Sequence, residues 1–417
     1  MRTSRRAVLG LGALALLLPR RLAAGPTVNG RKFLFVFCPG GWDPALVFAP
    51  VFSSGVDHLR ADEPARVGDL AYTASTSRRE VTSFLEAWGE QTVFINGVEV
   101  PSVAHDVCTR WTMTGDALSS TDDWVSIIAG HGSSSLLMPN VHISGSVYPI
   151  RYGSAHVRLG ASGQLASLLD GSALDGSDLQ VSPLDPGVVA LQDAVLRRRV
   201  QRWSDQRGGG QAATLASAEL LALDRARALA PEVDALRGGT SELQDALSVA
   251  CSCLERRLSR TATVAFGIGG NGRWDTHADL SLQDALYVEL FRSLDATLTR
   301  LASSSGDAGG TLLDETVVVV LSEMGRTPQL NHSNGKDHWT WTSAMLLGGG
   351  LPGGRTIGGY DDALIGRPVD LDTGEVADGG ASLLPGHVGA TLLALADVDP
   401  AEFVSVEAGE PIGALLV

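Results

Sequence analysis

Acidic and histidine residues in this 417-residue chain stand where they could share one task. Asp43 closes Gly40-Gly41-Trp42-Asp43, five residues past an apolar run ending at Cys38. His105-Asp106 comes after a second apolar run. Asp275-Thr276-His277 comes after a fourth, behind Gly269-Gly270-Asn271-Gly272. Glu323 ends a fifth, in Ser322-Glu323-Met324-Gly325-Arg326, and Asp337-His338 comes fourteen residues later in Gly335-Lys336-Asp337-His338-Trp339. A single aspartate at a strand end commonly caps a helix or a turn. Carboxylates and imidazoles gathered at one edge repel unless a cation binds between them. Such oxygen and nitrogen donors suit Zn²⁺, Mn²⁺, Mg²⁺ or Ca²⁺. Five to seven such groups are enough for two metals roughly 4 Å apart.

These residues need strands to position them. Lys32 to Cys38 is apolar and rich in β formers, and Pro39-Gly40-Gly41 stops it. It reads as a central strand buried on both faces. Thr92–Gly97, Val141–Gly145, Thr263–Gly267, Thr316–Leu321 and Ala344–Gly348 read the same way. Helical patterns over Arg79–Gly89, Asp106–Met113 and Asp279–Ser303 lie between them; the last carries Leu286, Leu290, Leu294, Leu298 and Leu301 at helical spacing. Strands alternating with helices predict an α/β fold, a three-layer α/β/α sandwich with a mostly parallel central sheet. In such sheets ligands sit beyond the carboxyl ends of the strands. Residues 186–258 lack any strand signal and read as a helical insertion of two or three helices.

Composition sets the outer bounds. Glycine is 49 of 417 residues, or roughly 12% against a usual value of about 7%, which suggests many tight turns and close backbone approaches. Hydrophobic residues are 44% and charged residues 19%, enough apolar matter for a large core. Residues 1–24 read as an address. Ser4-Arg5-Arg6-Ala7-Val8-Leu9 sets a twin arginine before the apolar run Ala7–Pro19, which is too short to settle across a bilayer of about 30 Å. Leu22-Ala23-Ala24 offers a cleavage site, and an uncleaved anchor is the other reading. The segment holds five arginines and no acid. The formal charge of −15 therefore becomes −20 over 25–417, with 27 basic and 47 acidic residues. That balance argues against a nucleic-acid partner. No later segment has 18 uninterrupted apolar residues, so no integral span is expected after the leader. The four cysteines read as buried free thiols.

The chain resembles the bacterial family known as domain of unknown function 1501. The resemblance rests on Phe33 to Pro44, Pro101 to Gly115, Trp274 to His277, Ser322 to Pro328, Gly335 to Trp339 and Gly386 to Asp399. It covers nearly all of 30–400, and Ser322-Glu323-Met324-Gly325-Arg326-Thr327-Pro328 with Gly335-Lys336-Asp337-His338-Trp339 is its most specific part. That family is placed with alkaline phosphatases, sulfatases and nucleotide pyrophosphatases. The resemblance implies an alkaline-phosphatase-like sandwich, periplasmic or secreted through twin-arginine export, with two divalent metals. It places Asp275, His277 and His338, with Asp337 beside it, around one metal, and Asp43 with Glu323 around the other. Asp275 and His277 are two residues apart where phosphatases commonly use four, and Ser322-Glu323 replaces a Ser-Asp-His.

The superfamily's nucleophile opens the helix after the second strand. Here that slot holds Pro101, with Ser102 one position away. Ser102 reads equally as a nucleophile activated by the helix N-terminus and a metal, or as the helix cap. His105 is a candidate ligand, general acid or support. Arg326 is a candidate oxyanion clamp or a structural ion pair. Lys336 could meet a phosphate or sulfate oxygen, or face solvent. Trp42, Trp274 and Trp339 could wall a pocket or pack the core. Two functions result: an exported metal-dependent hydrolase of small anionic phosphate or sulfate esters, or a catalytically inactive protein on the same fold that binds an envelope protein partner. No dinucleotide fingerprint is placed correctly for a redox enzyme.

Overall fold

The computed structural model describes residues 30–118, 121–132, 135–160, 164–170, 186–207, 210–237, 242–267, 274–404 and 409–416. The expected leader and the glycines at 208–209, 238–239 and 269–270 lie outside them. The strands in chain order are β1 (Lys32–Phe37), β2 (Asp62–Val67), β3 (Leu70–Ser75), β4 (Thr92–Glu99), β5 (Asn140–His142), β6 (His156–Arg158), β7 (Thr261–Ala265), β8 (Thr316–Leu321), β9 (Gly325–Arg326), β10 (His338–Trp339), β11 (Trp341–Gly348) and β12 (Arg355–Gly358). The helices are α1 (Arg79–Trp88), α2 (His105–Thr114), α3 (Trp124–Gly130), α4 (Gln164–Asp170), α5 (Pro186–Arg207), α6 (Gln211–Leu229), α7 (Leu243–Glu255), α8 (Leu282–Ser303), α9 (Leu312–Glu315) and α10 (Pro385–Leu395).

Eight strands form one sheet in the order β12-β4-β11-β8-β1-β7-β5-β6. β11 runs antiparallel to β4 and β8, and the other pairings are parallel. This is an α/β fold on a large, mostly parallel sheet. The apolar runs explain it, because strands covered on both faces need no polar alternation. On β1, Leu34 and Val36 join one apolar cluster with Phe84, Leu247, Leu290 and Leu294 from α1, α7 and α8. Phe33, Phe35 and Phe37 join a second, with Ile127, Ile128, Leu392 and Leu393 from α3 and α10.

The sequence did not announce the hairpin β2–β3. Asp62-Glu63-Pro64-Ala65-Arg66-Val67 is polar and contains proline, which is tolerated because β2 pairs on one side alone, with β3. β6, β9, β10 and β12 also escape the apolar pattern, being two to four residues long. The strand expected at Val141–Gly145 is shorter, since the chain turns at Gly145 with φ +100°. Residues 186–258 hold α5, α6 and α7. α5 and α6 pack mainly on each other, whereas α7 buries Leu247, Ala250, Cys251 and Leu254 in the core. Cys38, Cys108, Cys251 and Cys253 are all buried and unpaired. No helix among the described residues is long and apolar enough to cross a membrane.

Candidate metal centre

β1, β4, β7 and β8 deliver their carboxyl ends to one edge, and the chemistry lies there. β8 ends at Leu321, so Ser322 and Glu323 leave the sheet at once. Both are buried. The Gly40–Gly41 turn past β1 crosses them: the Gly40 N–H donates to Glu323 Oε1 (2.7 Å), and Ser322 Oγ donates to the Cys38 carbonyl (2.7 Å). Gly40 has φ +121°, and a Cβ there would meet the Asp275 backbone nitrogen at 2.7 Å. Only glycine lets these two loops touch. Gly335 does the same for the later loop, where a Cβ would lie 2.2 Å from the His277 carbonyl carbon. β9 and β10 then pair Arg326 directly opposite His338.

Asp275 is the centre of the open cluster. His338 Nε2 and His277 Nε2 each lie 3.1 Å from its Oδ1, and His105 Nε2 lies 3.5 Å from its Oδ2. The two histidine nitrogens, His277 Nε2 and His338 Nε2, are 2.9 Å apart. Each imidazole is held from behind. His338 Nδ1 donates to the Val103 carbonyl (2.7 Å), His277 Nδ1 to Asp337 Oδ1 (2.9 Å) and His105 Nδ1 to Glu323 Oε1 (2.8 Å). A carbonyl or a carboxylate only accepts, so in the neutral ring each proton sits on Nδ1 and the Nε2 lone pair faces the cluster. Two lone pairs at 2.9 Å require something positive between them: a shared proton or a cation. Metal-bound histidines are oriented by such rear acceptors. His105 Nε2 is a buried nitrogen with no hydrogen-bond partner. The donor set therefore fits a divalent cation, with His105, Asp275 and His338 as the holders.

The electrostatics agree. Burial opposes ionisation of Asp275, but the His105 and His338 rings and the Arg326 guanidinium beside it outweigh that cost and hold the carboxyl well below the usual carboxylate range. Asp275 and then Glu323 raise His105 to about 9. Without a cation, His105 is thus held as an imidazolium between Asp275 and Glu323. The His277 and Asn331 side chains keep the Asp337 carboxyl low.

Asp43 lies in a different arrangement from the one expected. It is fully buried; its Oδ2 accepts from Lys336 Nζ (2.7 Å) and its Oδ1 caps Ala45 N (3.0 Å). Asp43 and Glu323 therefore have separate partners. The Asp43 carboxylate is spent on an ion pair, and Lys336 neither faces solvent nor reaches the edge as a free cation. Arg326 is fully buried as well. It donates to the carbonyls of Gly41 (2.8 Å), Lys336 (3.1 Å) and Gly40, and to Asp275 Oδ1 (2.5 Å). It is a positioning residue that aims Asp275, rather than an exposed oxyanion clamp.

Ser102 is not the N-cap of α2. Ala104 is the N-cap of α2 with no side-chain cap, and Ser102 Oγ accepts the Ala104 N–H (3.2 Å) beside the Cys108 thiol. Trp42 and Trp274 are fully buried and pack on Phe48 and Tyr287 as core. Trp339 is partly exposed and donates to the Leu364 carbonyl (2.9 Å).

One residue went unread in the sequence. Gln283, buried on α8, accepts the Asp43 N–H at Oε1 (2.8 Å). Its Nε2 donates to the Trp274 carbonyl (3.0 Å) and to Thr276 Oγ1 (3.0 Å). It ties the β1 loop to the Asp275 loop. Its phase was the available signal, since 283 lies on the same helical face as Leu286, Leu290 and Leu294.

Among solved structures, the chain is similar to Ps i-CgsB. The form in complex with k-i-k-neocarrahexaose is 8% identical with a TM-score of 0.36, over 91% of this chain and 77% of that one. The structure titled without that ligand is 8% identical with a TM-score of 0.37 over the same shares. The phosphonate monoester hydrolase of Agrobacterium radiobacter is 10% identical with a TM-score of 0.33, over 91% and 78%. No curated protein matches the chain. Residues 32–412 match the family described as Protein of unknown function (DUF1501), and the chain belongs to that family.

Proposed function

We propose that this chain is an exported, metal-dependent hydrolase of small phosphate or sulfate esters. It would be built as an alkaline-phosphatase-like three-layer sandwich over 25–417 and carried to the periplasm or beyond by the twin-arginine leader 1–24. One observation carries the reading: three imidazole Nε2 atoms and the Asp275 carboxylate converge while all three Nδ1 atoms are tied to rear acceptors. His105, Asp275 and His338 would hold one divalent cation. Such a cation supplies Lewis acidity that polarises an ester oxygen and lowers the pKa of a water.

The remaining roles belong to the chain itself. Glu323 and Val103 hold the two ligand rings in orientation. Arg326 fixes Asp275 from the buried side. His277 is the most exposed imidazole of the cluster, at 43%, and Asp337 backs it. It holds or releases a proton at Nε2 on the open rim. Arg326 and Lys336 are buried in internal bonds, so capture of an anionic ester falls to the cation.

The placement of Ser102 favours a second reading, an inactive fold that binds an envelope partner, because its hydroxyl is engaged with the Ala104 N–H at the start of α2. Two measurements decide between them. Elemental analysis of purified protein should show metal, and chromogenic phosphate monoesters, diesters and sulfates should be turned over. Turnover that survives His338→Ala sinks the hydrolase site. Metal without turnover on any of the three classes favours the binding protein.

A further inference from the structure

A second pair of imidazoles lies on the same sheet, on the edge strands β5 and β6. His142 is 0% exposed, yet neither of its ring nitrogens has a hydrogen-bond partner. His156 Nδ1 is also buried and unpartnered, and the two ring centroids are 5.5 Å apart. Thr263 on β7 stands directly beside His142 in the parallel register, and its buried Oγ1 is unpartnered too. Folded proteins pair nearly all such atoms, so four in one place point to a missing ligand.

We propose that His142 and His156 form a separate site for a borderline divalent cation of the Zn²⁺, Co²⁺, Ni²⁺ or Cu²⁺ class. Thr263 Oγ1 stands beside it as an oxygen donor. Imidazole nitrogens suit these ions better than Mg²⁺ or Ca²⁺. The spacing fits as well. Two imidazoles on one ion, each with nitrogen about 2.1 Å from it, place their centroids about 4.5–5.5 Å apart. At the first centre the His277–His338 and His105–His338 centroids are 4.6 and 4.5 Å apart. The two sites use different elements: β5 and β6 are the last two strands at one edge of the sheet, and none of His105, Asp275 or His338 lies on them. Arg158 acts against positive charge at both rings, while Asp123 favours it at His156 alone, so the ion would be held by the neutral nitrogens rather than by local charge. β5 and β6 are three residues each, and a shared ion would clamp the edge strand to its neighbour.

The test is Co²⁺ titrated into metal-free full chain, read by visible absorption and equilibrium dialysis. His105→Gln/His338→Gln removes two holders of the first centre, and one equivalent of Co²⁺ stays bound. Adding His156→Gln, or His142→Gln, weakens that equivalent by about tenfold or more. His156→Gln alone, in the otherwise unaltered chain, lowers the stoichiometry by one. Failure takes either of two forms. One is a His105→Gln/His338→Gln chain with native near-UV circular dichroism that binds no Co²⁺. The other is a bound equivalent that both added replacements leave untouched. Loss of the first centre alone would sink the hydrolase reading and leave this site standing, so the two fail separately.

Discussion

Two polar groups lie within a few residues of each other at the carboxyl edge, and they are built in opposite ways. In the buried group, Asp43, Lys336, Arg326 and Gln283 find partners inside the protein: carboxylate against ammonium, guanidinium against carbonyls, amide against amide and hydroxyl. In the open group, His105, His277 and His338 turn lone pairs toward one another and toward Asp275. The first group balances donors and acceptors and so holds loops together. The second has acceptors in excess, and an excess of acceptors is what a cation completes. Residue type does not separate the two, for each contains an aspartate at a strand end. The balance of donors around each aspartate does.

That contrast breaks most sharply at His338. His338→Gln should remove bound metal and ester turnover together while leaving the fold intact, measured by elemental analysis and circular dichroism. A variant that keeps its metal would place His338 outside the centre. Lys336→Met should do the reverse. It strands Asp43 as an uncompensated buried charge, costing about 3–5 kcal/mol of stability in urea unfolding. A loss below about 1 kcal/mol would show that the buried pair is not a structural tie. Glu323→Gln touches both groups, since it backs His105 and receives the Gly40 N–H. Metal affinity should fall by about 10- to 100-fold, as for other rear acceptors.

Acidity sharpens the comparison further. His105 is raised from its ordinary 6.5 to about 9 in the metal-free fold. Its contribution to metal-free stability is therefore complete below pH 6.5 and is lost as pH rises through about 9. A cation has to displace that proton. Zn²⁺ affinity should rise about tenfold per unit from pH 6.5 and level off near 9, and a flat profile would remove His105 from the ligand set. The smallest effect belongs far from both groups. Leu191 is 61% exposed on α5, and Leu191→Ser should shift stability by no more than about 0.5 kcal/mol and leave metal binding unchanged.

Much of the frame was legible in the amino-acid order. β1 and β8 are continuous apolar runs because both faces are covered, and periodicity detects that directly. Asp275, His277, His338 and Glu323 were found because each succeeds a strand or its loop at the carboxyl edge. The short strands β9 and β10 were not legible, since two-residue pairings carry no period. They set Arg326 opposite His338. Gln283 was hidden for another reason: a glutamine on an apolar helical face looks like a tolerated exception until its partners are seen.

The sequence alone determined which residues arrive at the edge, since local patterning places the strands and each strand carries its next few residues there. It also determined that acids and imidazoles gather at that edge, and such a gathering calls for something positive between them. Only the tertiary structure decided how each acid finds it. Asp43 meets Lys336 across 293 residues of chain, while Asp275 meets three imidazoles. Contacts at that separation arise from loop packing, through the bare glycines at 40 and 335, and no local pattern records which lone pairs will face one another.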